Sequence, residues 1–102
     1  MYAYKLVRKR KDGSLGPLFI YQRLRLPINK WMKAEDHPTK GYANRPGWHC
    51  TPEPKAPHLK DKENRVWVLV EVADFKFFKR PKNQGGYWIL ANWMRIIKEV
   101  QA

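Results

Sequence analysis

A single cysteine, Cys50, stands among 102 residues, which excludes an internal disulfide and leaves packing to hold the chain together. Long apolar runs are missing. The longest, residues 66–70 among them, reach five residues, against the roughly 20 that a membrane-spanning helix needs. No apolar stretch follows the first positive charges, so no leader peptide is expected. Acidic residues are scarce, 9 against 21 Lys and Arg. They are scattered, four of the nine directly beside a Lys or Arg, and no paired-carboxylate motif for acid–base work is expected. There is no Gly-x-Ser-x-Gly, no Walker loop and no dinucleotide fingerprint, and no cofactor is expected. The length allows one domain over residues 1–102 and leaves no room for a second core.

What remains is aromatic and basic. Apolar residues make up 43% and aromatics 14%, too much for a disordered polycation. The formal charge is +12, unevenly spread. Residues 1–33 carry +8, residues 34–64 are neutral and residues 65–102 carry +4. Such a field attracts polyanions, nucleic acid first among them. The plainer role of the charge is to keep an aromatic-rich surface soluble.

Tyr2 opens a strand that places Tyr2, Tyr4 and Leu6 on one face. Asp12-Gly13 signals a hairpin, because both residues tolerate positive φ. The return strand is expected over residues 15–24, with Pro17 at its start, where a missing N–H costs least. A short helical turn is expected within residues 28–35, presenting Trp31 and Met32. Residues 36–64 hold five prolines and two glycines and read as a long ordered loop tied to the core by Tyr42, Trp48, His49, Cys50 and Leu59. In the next segment Val66, Val68, Val70 and Val72 share one face of a central strand, with Trp67 and Leu69 on the other. The closing segment is ambiguous. Ile89, Leu90, Trp93, Ile96, Ile97 and Val100 fit a helical period, while residues 95–100 also read as a strand.

The loop holds the residues with chemical promise. His37, His49, His58 and Cys50 equal a zinc set in number, but their spacing matches no compact finger. Adjacent residues on a strand point to opposite faces, so His49 and Cys50 do not converge on a metal or form a nucleophile–base pair, and no metal is expected. Arg45, Trp48 and His49 can line a nucleotide pocket, with Arg45 on phosphate, Trp48 stacked on a base and His49 as hydrogen-bonding or acid–base group. His49 and Arg45 are thus the catalytic candidates if the protein is an enzyme. Aromatics interleave with basic residues twice, in residues 2–8 and in Phe75-Lys76-Phe77-Phe78-Lys79-Arg80. Single-strand binders use this pattern, with bases stacked on rings and cations along the backbone. Three Phe in four positions cannot all face one core from a strand, so one is expected at the surface.

The opening Tyr-Lys-Leu-Val-Arg-Lys, the loop Arg45-Pro46-Gly47-Trp48-His49-Cys50, Ala56-Pro57-His58-Leu59, the Val-rich strand, Gln84-Gly85-Gly86 and the closing Ile-Ile-Lys-Glu-Val follow one another along nearly the whole chain. In this order they resemble a loose group of small bacteriophage proteins of about this length. That resemblance implies a strand over residues 94–100, preceded by a helical turn near residues 88–92. The Gly-aromatic-His-Cys element ahead of a Val-rich strand is also similar to reduced ADP-ribosyltransferase-like folds. Their cleft glutamate has no counterpart here that can be assigned, since Glu71 lies within a strand and Glu99 in the ambiguous segment.

The expected fold is α+β: a small, mostly antiparallel sheet, one or two short helices and a long ordered loop. The expected function is that of a phage-type accessory protein, in the cytoplasm of a host cell, that contacts nucleic acid or a nucleoprotein complex and no membrane. Such contact suits interference with a host defence system. Lys5, Arg8, Lys9, Arg10 and Lys11 are the first candidate phosphate contacts, and Lys76, Lys79, Arg80 and Lys82 the second. The alternative is a nucleotide-handling enzyme or sensor at Arg45, Trp48 and His49.

Overall fold

Val66, Val68, Val70 and Val72 do form the inward edge of a central strand, and the rest of the sheet assembles around it. The computed structural model describes residues 1–17, 25–34, 47–54, 64–84 and 86–100. Its strands are β1 (Tyr2–Lys9), β2 (Leu15–Gly16), β3 (Met32–Lys33), β4 (Trp48–Cys50), β5 (Arg65–Lys79) and β6 (Tyr87–Val100). They form one antiparallel sheet in the order β2-β1-β5-β6-β3, with β4 also paired to β6. The expected α+β class is therefore wrong. Among the described residues the single helical turn is the three-residue 3-10 turn Lys82–Gln84.

The sheet closes on itself. Thr51, just after β4, exchanges backbone hydrogen bonds with Tyr4 of β1, at 2.7 and 2.8 Å. This completes the ring β1-β5-β6-β4. At the other end Leu26 donates to the Leu15 carbonyl and Asn29 to that of Ile96, so residues 26–29 bridge β2 and β6. Closure satisfies backbone groups that an open edge would expose. Val68, Val70 and Val72 meet Ala3 and Val7 of β1, Cys50 of β4 and Met94 and Ile96 of β6 inside the ring. The inward face of β1 is thus Ala3, Lys5 and Val7, opposite the Tyr2–Tyr4–Leu6 face.

Three local readings change, and a fourth is described only in part. The closing segment is a strand from Tyr87 to Val100, so both the helical period and the turn at residues 88–92 are overturned. The apolar spacing mimics a helix because β6 is irregular. Residues 88–91 are buried on both faces. Asp74, with φ +50°, then kinks the ladder opposite Asn92, whose amide donates to the Asp74 carboxylate at 2.6 Å. A bulge near Leu69 and Val70 shifts the register again. The expected turn within residues 28–35 is instead a bridge at Ile28, a tight bend at Asn29 and strand β3. The expected loop contains β4, while residues 35–46 and 55–63 lie outside the described set. The return strand is described only as Leu15–Gly16, residues 18–24 also lying outside. The Asp12-Gly13 hairpin is present, with positive φ at Gly13 and not at Asp12. Asp12 accepts from the backbone and hydroxyl of Ser14 and from Arg25, and these bonds hold its carboxyl well below the usual carboxylate range.

Two residues lock β4 in place. Gly47 has φ +132°, and a Cβ there would sit 2.8 Å from Leu90 Cγ. Trp48 packs its half-buried ring against the core and donates its indole N–H to the Met32 carbonyl at 2.9 Å, tying β4 to β3. Gly47→Ala should therefore cost about 1–3 kcal/mol through strain and overpacking. Trp48→Ala should cost about 3–5 kcal/mol. Trp48→Phe, which keeps a ring but leaves the Met32 carbonyl without that donor, should cost about 1–3 kcal/mol. Urea denaturation midpoints check all three, and an unchanged midpoint in Trp48→Ala would place the ring outside the stabilising core.

Candidate nucleic-acid interface

Strand alternation disperses the first basic cluster. Lys5 lies on the inward face, directly opposite Val68, and its ammonium donates to the His49 carbonyl at 2.8 Å. Burial pushes its pKa below the usual lysine value. Arg8 is half-buried. Lys9 pairs with Glu99 at 3.0 Å. Arg10 donates to the Leu15 carbonyl at 3.0 Å and lies against Gly16, where a Cβ would come within 2.5 Å of its guanidinium. Lys11 is exposed on the hairpin turn. The five do not form one face for a phosphate backbone.

The second cluster behaves differently. Beyond Val72, whose N–H bonds the Met1 carbonyl, β1 has ended and the β5–β6 hairpin continues past it. Lys76, Lys79 and Lys82 are exposed along this extension. Residues 75–98 contain six basic side chains and no acidic one. Phe75, Phe77 and Tyr87 are exposed there too. Phe75 opposes Ala91, Phe77 opposes Ile89 and Lys79 opposes Tyr87, so all three rings and Lys79 share one side of the hairpin. The expectation of an exposed Phe holds for two of the three.

The other side of the hairpin is packed. Arg80 lies over the rings of Trp88, at 5.0 Å, and Phe78, at 5.7 Å. His49 meets both rings edge-on, Phe78 at 5.8 Å and Trp88 at 6.4 Å. Arg80 is therefore a bracing residue more than a loose phosphate contact. Tyr87 was missed in the sequence. The signal was available: pairing across the turn at residues 81–86 sets Tyr87 opposite Lys79.

Among the loop candidates, His49 and Cys50 point to opposite faces of β4. Cys50 opposes Ile89 within the core, and burial pushes its thiol up to about 11. Trp48 is engaged with Met32, as above. Arg45, His37 and His58 lie outside the described residues. Among the described residues no group of His, Cys, Asp and Glu gathers as a metal site. No described helix is long and apolar enough to cross a membrane.

No family model, no curated protein and no solved structure matches the chain. The functional reading therefore rests on the arrangement of these side chains.

The inward lysine has a pH signature. Its folded pKa lies below 10.5, so the unfolded chain binds more protons between the folded value and 10.5, and stability rises with pH across that window. Cys50 acts in reverse. Its folded pKa of about 11 exceeds 9.0, so stability falls as pH rises from 9.0 to about 11. Well below pH 9.0 the unfolded thiol is protonated too, and the cysteine's slope fades. Lys5→Met should therefore make Tm rise less with pH than in the parent on the alkaline side of the profile. Identical slopes in parent and variant would show that the ammonium is solvated.

Proposed function

We propose that this chain is a phage-type accessory binding protein that contacts nucleic acid, or a nucleoprotein complex, through the basic extension of the β5–β6 hairpin. Its place would be the cytoplasm of a host cell, and interference with a defence system is a role this contact suits. The observation that carries the reading is the exposure of Lys76, Lys79 and Lys82 on a stretch of chain that contains no acid. The stretch is net positive, and phosphate neutralisation by its lysines releases counterions. The phage character rests on the sequence resemblance. The alternative of a nucleotide-handling enzyme or sensor at Arg45, Trp48 and His49 draws no support from the geometry, since Trp48 is bonded into the fold and His49 is braced by two rings.

Affinity for a mixed-sequence oligonucleotide should fall steeply as salt rises, by fluorescence anisotropy titration. Lys76→Glu, Lys79→Glu and Lys82→Glu should each weaken it for all sequences alike, and neutral replacements should reduce the salt slope by about one each. Lys9→Gln, at a residue already paired with Glu99, should change affinity by less than about twofold. Salt-insensitive binding, or none at low salt, would sink the reading.

A further inference from the structure

The three exposed rings of the hairpin have a use that charge alone does not explain. Phe75 is 37% exposed, Phe77 58% and Tyr87 57%. They share a side of the hairpin with Ile89 and Ala91, which lie directly across from Phe77 and Phe75 but are buried on the β6 half, where β4 is paired. Phe75 and Phe77 lie on β5 beyond its pairing with β1, and Tyr87 lies on β6 outside its pairing with β4, and there the large apolar residues meet solvent. Phe75 braces Phe77 edge to face, with ring centroids 5.9 Å apart and planes at 88°. Such bracing holds Phe77 in place before any ligand arrives. Tyr87 stands diagonally across the ladder from Phe77, about 7–8 Å away between backbones. Lys79, opposite Tyr87, puts a cation on the same side.

Building on the nucleic-acid reading above, we propose that the Phe75–Phe77–Tyr87 side of the hairpin is a stacking platform, and that the ligand class is single-stranded nucleic acid. In a duplex the base faces are stacked on one another and unavailable, so exposed rings add little to phosphate contacts. In a single strand every base offers a π-face, and rings set among lysines hold bases and backbone together. Charge complementarity favours this occupant over a protein. Lys79 shares the side of the rings, Lys76 and Lys82 are exposed on the same extension, and its one nearby carboxylate, Asp74, precedes Phe75 and accepts from the Asn92 amide. A second copy of the chain would bring the same positive charge to the contact.

The test compares labelled oligothymidine and oligouridine with a duplex of equal length, by anisotropy at several salt concentrations. Single strands should bind about tenfold or more tighter than the duplex. Phe77→Ala and Tyr87→Ala should each lose about tenfold on single strands, the loss expected for one stacked base, and change duplex binding little. Tyr87→Phe should bind as the parent does, because the ring is kept. Thermal melts of each variant confirm that the fold is intact, as expected at exposed positions. If duplex and single strand bind alike and the ring variants are neutral, while Lys79→Glu still weakens binding, the platform is overturned and the nucleic-acid function stands. No binding to any probe at low salt would overturn both. Concentration-dependent dimerisation that Phe77→Ala abolishes, without loss of oligonucleotide affinity, would assign the rings to a contact between copies and overturn the platform.

Discussion

The backbone ladder between β5 and β6 is the constraint on which everything else hangs. It runs from Trp67 opposite Val100 to Lys79 opposite Tyr87. β1 pairs with its outer side at β5, while β3 and β4 pair with β6. β2, β3 and β4 are only two or three residues long, and strands that short have too few hydrogen bonds to stand unaided. They persist because the long hairpin offers them a twisted template, and because Tyr4 and Thr51 close the ring on the far side. Closure in turn encloses the valines of β5, so the packing that stabilises the hairpin depends on the strands that the hairpin recruits.

Closure also sorts the cations. Along β1, alternation sends Lys5 inward to the His49 carbonyl, and Lys9 and Arg10 are held by Glu99 and the Leu15 carbonyl. A cluster that is dense in sequence is thereby dispersed in space. The hairpin extension escapes this sorting because it projects past the end of β1. Its lysines stay exposed, and its inward-type residues, Phe75, Phe77 and Tyr87, become surface. The same geometry braces the opposite side, where Arg80, Phe78, Trp88 and His49 pack together. The extension is stiffened on one side and open on the other, which suits a recognition element built on a rigid scaffold.

His49 and Trp48 show how a promising motif can serve structure. Pro46-Gly47-Trp48-His49-Cys50 concentrates reactive residue types, yet β4 distributes them. Trp48 goes to Met32, Cys50 to the core, and His49 to the aromatic brace, while its carbonyl receives Lys5. Gly47 is needed because Leu90 occupies the space a Cβ would take. The motif is a clasp between three strands.

Local pattern by itself determined the valine strand, the opening strand, the hairpin at Gly13 and the exposure of at least one ring between Phe75 and Phe78. Each depends on period-two alternation or on a residue's own φ preference, and neighbours in sequence carry that information. The net charge was legible too, since it is a sum. Only the tertiary structure decided the rest. The closing segment also fits a helical period because burial on both faces at residues 88–91, the kink at Asp74 and the extra residue Ile97 opposite Leu69 and Val70 break its alternation, and those features are set by how it pairs with its partner strands. β3 and β4 are too short to carry a period and exist through pairing with β6. Which lysines stay exposed depends on where β1 stops relative to β5, a distance of more than sixty residues along the chain. Hydrogen bonding across such separations leaves no local trace, so charge was visible in the sequence and its usable surface was not.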